Sequence, residues 1–116
     1  MSIHAQELIE HSAHMIMSVD LKGEFVFVNP TLCETLEYEQ NALMELNVYD
    51  LIHPEFRTEY NRVVERVTQG ERVNRFETSL VTPDGRPVAV EGSCACSFTN
   101  GQPRAIMSVL HDVTER

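Results

Sequence analysis

What the 116-residue chain has little of narrows its class first. Lysine and arginine number nine against eighteen aspartates and glutamates, a net charge of −9 at pH 7 with a pI near 4.9. A surface that tracks phosphates needs clustered cations, so nucleic acid is not an expected partner. A basic membrane-targeting surface is disfavoured for the same reason. No apolar run approaches the ~20 residues of a spanning helix. Met1-Ser2-Ile3-His4 also lacks the basic start and apolar stretch of a signal peptide. No membrane contact is expected of this segment. Cysteine is sparse and odd in number: Cys33, Cys94 and Cys96. Two cysteines two apart on one strand have Cα atoms roughly 6.5–7 Å apart, poor geometry for a mutual disulfide. The natural reading is a reducing cytoplasm. There is no internal repeat, no glycine-rich phosphate loop and no arguable Ser-His-Asp arrangement, so no enzymatic activity is expected.

What is present fits one globular domain, with 42% apolar and 23% charged residues. A short entry helix is expected over residues 1–13, with Ile3, Leu8 and Ile9 loosely on one side. Met15 to Val19 and Glu24 to Val28 read as strands joined by the hairpin signal Asp20-Leu21-Lys22-Gly23. Asn29-Pro30 is a helix opening, with Asn as N-cap and Pro in the first turn. Short helical pieces are expected from Glu39 to Leu46 and around Asp50 to Ile52. A longer helix follows His53-Pro54, running from Glu55 to Gln69 with Phe56, Tyr60, Val63, Val64 and Val67 as its apolar stripe. Three strands close the chain: Val73 to Thr82, Val88 to Phe98 and Arg104 to Val113. Pro83-Asp84-Gly85 and Asn100-Gly101 are the turns between them. The order β-β-α-α-α-β-β-β, with hairpins at both ends, indicates an α+β fold with helices packed on one face of an antiparallel sheet.

Three stretches carry a resemblance. Asp20-Leu21-Lys22-Gly23 with Phe25-Val26-Phe27-Val28-Asn29-Pro30 resembles the opening of the PAS domain, the S-box sensory module of bacterial-type signal-transduction proteins. Leu51-Ile52-His53-Pro54-Glu55 resembles that family's mid-domain turn, and Asp112-Val113-Thr114-Glu115-Arg116 its exit motif. The resemblance implies a PAS-like five-stranded antiparallel sheet of strand order 2-1-5-4-3, with the PAS unit over residues 14–114. It also implies that residues 115–116 begin an output linker, the chain being a fragment of a larger protein. The sequence departs from the family at Glu37 and Glu45, where Gly is frequent, and at Phe56, where Asp is frequent.

The resemblance raises cofactors, and the residues argue against them. Val48 stands where flavin photoreceptors carry a reactive Cys, and Leu80, Val90 and Leu110 stand where amides would pair with the ring. Each unpaired buried polar group costs on the order of 1–3 kcal/mol. The long helix has no His for a haem, Glu59 being the nearest equivalent. No cofactor is expected.

A pocket between sheet and helices is expected to be lined by Val48, Leu51, Tyr60, Leu80, Val90, Cys94, Ile106 and Leu110, with Thr78 and Ser108 as further polar handles beside Tyr60. Gly92 on that face either leaves room or permits close backbone approach. The pocket can hold a small, mostly apolar ligand or be filled by its own side chains. Ala89, Ser93, Ala95, Ser97, Met107 and Val109 form an outward patch suited to a partner sheet or helix, either the chain's own entry helix or that of a second copy in a homodimer. Asp112 and Thr114 are the expected signal exit, either being able to cap a following output helix.

The functional expectation is a cytoplasmic sensory and dimerisation module of a two-component or related system. It passes a conformational signal through the last strand to a downstream effector such as a histidine kinase or diguanylate cyclase. The alternatives are a thiol redox switch using Cys94 and Cys96, and a constitutive protein-protein adaptor with a filled core. No metal is expected: His4, His11 and His14 read as solvated, and His53 as a turn residue.

Overall fold

A computed structural model describes residues 13–114. The expected output linker, and all but Ala13 of the expected entry helix, lie outside the described residues. Strand β1 (Met15–Asp20) turns into β2 (Phe25–Val28), followed by helices α1 (Pro30–Leu36), α2 (Gln40–Met44) and α3 (Val48–Leu51). A single 3-10 turn (Pro54–Phe56) leads into α4 (Arg57–Thr68), and β3 (Val73–Val81), β4 (Pro87–Thr99) and β5 (Gln102–Asp112) complete the chain. All strand pairs are antiparallel and the sheet order is β2-β1-β5-β4-β3. The first and last strands are therefore neighbours at the centre, with Met15 opposite Leu110 and Val19 opposite Ile106.

Alternation builds the core. Met15, Met17 and Val19 from β1, Val88, Val90 and Cys94 from β4, and Ile106, Ser108 and Leu110 from β5 are buried towards the helices. Leu32, Leu36, Leu43, Leu51, Val63 and Val67 meet them from the helical side.

Several boundaries differ from the sequence reading, each for a local reason. Helix α3 starts at Val48, two residues early, because Asn47 and Asp50 form a reciprocal cap: Tyr49 N donates to Asn47 Oδ1 and Asn47 N donates to Asp50 Oδ2. The long helix is split. His53 Nδ1 accepts from Glu55 N and holds a tight turn, so α4 proper begins at Arg57. A register shift between Ser97 and Phe98 turns Phe98 to solvent, at 42% exposure, although the alternation places it inside. Asn100 and Gly101 both take positive φ, 53° and 78°, the two-residue hairpin that this pair signals.

Candidate functional site

The candidate site is built where α4 crosses the sheet. Tyr60 points inward from the first turns of α4 and is 1% exposed, packed edge-on against the Tyr49 ring at 5.6 Å. Tyr49 is itself held by α4, its hydroxyl donating to Asn61 Oδ1 while Arg57 Nε donates to its carbonyl. Across from Tyr60, Cys94 of β4 and Ser108 of β5 are register partners, and Ser108 Oγ donates to Cys94 Sγ at 3.6 Å. The Tyr60 hydroxyl has Ser108 beside it, yet meets the geometry of a hydrogen bond with nothing. Burial pushes its pKa well above the ordinary tyrosine range, with Cys94 adding to the effect and Ser108 opposing it. Thr78 Oγ1 on β3 is likewise buried without a partner.

Every residue expected to line a pocket is buried except Gly92, which is partly so. They form one continuous packed core. The space left beside Tyr60, Val48 and Ile106 measures about 10 Å³, room for about one water molecule. Gly92 leaves no room for a ligand. A Cβ there would lie 1.9 Å from the Val109 carbonyl oxygen, so its lack of a side chain lets the backbones of β4 and β5 approach.

The cysteines divide by environment. Burial pushes the Cys94 thiol up, against the pull of the Ser108 hydrogen bond, away from the reactive thiolate. Cys96 is half-buried and donates to the Ser97 carbonyl. Among the described residues no group of three His, Cys, Asp or Glu side chains is arranged around a metal position.

The expected exit residues form a latch that sequence reasoning missed. Val113 N donates to Ala89 O at 2.9 Å, Ala89 N donates to Thr114 Oγ1 at 3.1 Å, and Thr114 N donates to Asp112 Oδ1 at 2.8 Å. Both polar groups expected as helix caps are thus engaged on β4 or on each other. The only sequence signal for this was the Asp-x-Thr spacing, which also fits a simple cap. On the outward face Ala89 and Met107 are exposed, and Ser93, Ala95 and Val109 are half-buried. A shallow depression of about 240 Å³ runs over Ser93, Ala95, Met107 and Val109 beside Arg72 and Asn74.

Solved structures share this architecture. A PAS domain from Colwellia psychrerythraea is 18% identical with a TM-score of 0.87, covering 97% of each chain. A domain of a sensory box sensor histidine kinase/response regulator from Geobacter sulfurreducens is 23% identical with a TM-score of 0.75, covering 94% of this chain and 91% of that one. The N-terminal domain of a diguanylate cyclase with PAS/PAC sensor from Marinobacter aquaeolei is 17% identical with a TM-score of 0.71, covering 87% and 95%. At such identity the likeness speaks for the fold. No curated protein matches the chain. Residues 4–113 match the family described as PAS fold, and with the sheet order and the one-sided helices in agreement, the chain belongs to the PAS family.

Proposed function

We propose that this PAS domain is a sensory and coupling module of a larger signalling protein, recognising a small neutral molecule in its core and relaying the change along β5. The observation that carries this reading is the pair of buried, unpartnered hydroxyls of Tyr60 and Thr78 in an otherwise apolar interior. Each such group costs about 1–3 kcal/mol while unpaired, a penalty that a ligand's polar atom removes. Among the described residues no charged side chain is buried in the core, so an ionised ligand would find no compensation from them there. The space beside Tyr60, Val48 and Ile106 has room for about one water, so on this reading a larger ligand enters as α4 moves off the sheet. Ser108 and Leu110 then transmit the movement directly, because β5, which carries them, runs straight into the Asp112–Thr114 latch. The relatives named as a sensor histidine kinase and a diguanylate cyclase suggest an effector of that kind.

The tightness of the core favours a second reading, an adaptor whose interior stays filled. Native mass spectrometry of the freshly purified full chain, with an absorption spectrum, separates the two. A retained small molecule that is lost from Tyr60→Phe supports sensing. A bare chain, unchanged in stability by any neutral aromatic or short-acyl compound, supports the adaptor. The thiol switch has weaker support, since Cys94 is sealed in the core.

A further inference from the structure

Two imidazoles meet on the sheet face away from the helices, where the first and last strands lie side by side. The register that pairs Met15 with Leu110 sets His14 opposite His111. Met15 and Leu110 point into the core, so their neighbours project the other way. Both histidines are exposed, their ring centroids 6.0 Å apart and their planes at 84°. Two imidazoles sharing one ion have centroids about 5–6 Å apart, given metal–nitrogen bonds near 2 Å. A shared ion needs one nitrogen of each ring aimed at a common point.

We propose that His14 and His111 form a two-imidazole site for a late first-row divalent cation, clamping the start of β1 to the end of β5. The backbone behind each ligand is already fixed. Asn29 Nδ2 donates to the His14 carbonyl at 2.8 Å, and His111 is paired with Glu91 in the β4–β5 ladder. Ligands on anchored strands lose little freedom on binding. Glu91 lies in the same cross-strand row, but its carboxylate is engaged by Arg75 Nε at 2.9 Å. Among the described residues no third protein ligand joins the pair, so in this proposal water completes the coordination shell. The net charge of −9 favours accumulation of cations around the chain. Imidazole suits nickel, copper and zinc, whereas the thiols of Cys33 and Cys96 select softer ions, so Ni²⁺ is the discriminating probe.

Calorimetric titration of the full chain with Ni²⁺ near pH 7.5 tests the site. The expected result is saturable 1:1 binding, weakened at least about tenfold by His14→Gln or His111→Gln alone. It should be unchanged by a His4→Gln/His11→Gln double variant. The ion should also raise the melting temperature of the parent chain but not of the His14→Gln/His111→Gln double variant. No saturable binding, or binding that survives in that folded double variant, overturns the proposal.

Discussion

At Asn29 one wholly buried side chain joins three parts of the chain. Its Oδ1 accepts from Ile16 N at 2.9 Å and from Leu32 N at 3.1 Å, and its Nδ2 donates to the His14 carbonyl. The helix cap was legible in the sequence from Asn-Pro; the bridge to β1 was not, because nothing in residues 29–36 indicates which strand lies alongside. Asn29→Ala removes the cap and leaves two buried donors unpaired, and should cost about 2–4 kcal/mol in urea unfolding. Glu37 shows the opposite kind of departure. It stands where the family often has Gly and takes φ 65°, which disfavours any side chain. Its ion pair with Arg86 at 2.8 Å is exposed and returns little. Glu37→Gly should raise stability by about 0.5 kcal/mol, the relief of αL strain exceeding the lost ion pair and the entropy of Gly. The Gly-to-Glu change at 45 carries no such strain, since Glu45 is right-handed at φ −84°.

Burial of neutral phenols and thiols has a consequence at high pH. Tyr60, Tyr49, Tyr38, Cys94 and Cys33 all have pKa values raised mainly by burial. Unfolded, these groups ionise near pH 8.5 for thiols and near pH 10 for phenols. Above those values the unfolded state releases protons that the folded state keeps, so stability falls as pH rises. It should be at its full value near neutrality and decline from about pH 8.5 upward in urea titrations, with a shallower decline between about pH 9.5 and 10.5 in Tyr60→Phe.

Among the elements, the strands were the most legible. Alternation in Val88 to Phe98 and Arg104 to Val113 reflects a sheet with one face on the core, and the Asn100-Gly101 turn fixes their pairing locally. The short helices were less so, because their limits depend on distant partners. Helix α3 is positioned by Asn47, whose Nδ2 donates to the Lys22 carbonyl in the first hairpin, while Val48 N donates to the Gly23 carbonyl. Within the candidate site, the burial of Val48, Tyr60, Leu80, Val90 and Leu110 was legible in the sequence, but not how tightly they close. The space of about 10 Å³ beside Val48, Tyr60 and Ile106 depends on how far α4 stands from the sheet, which no local pattern encodes. The role of Gly92 was open for the same reason, until the approach of β5 was known.

The described residues form a one-sided structure: helices cover one face of the sheet, and the other carries small and apolar residues around Met107, which is 42% exposed. If that face mediates self-association, Met107→Glu should shift a concentration-dependent dimer to monomer in sedimentation, with the urea midpoint unchanged at concentrations where the parent chain is also monomeric. A dimer that persists in this variant would assign association to another surface. The central claim is that the core and the exit latch are one mechanical unit through β5. Amide hydrogen exchange at Val113 and Ala89, in the parent chain and in Tyr60→Phe, tests it most directly, with Gly23, bonded to the Asp20 carbonyl in the first hairpin, as reference. The account predicts that Val113 and Ala89 change protection together by about threefold or more while Gly23 does not. Equal changes at all three amides, or none at the latch, would contradict it.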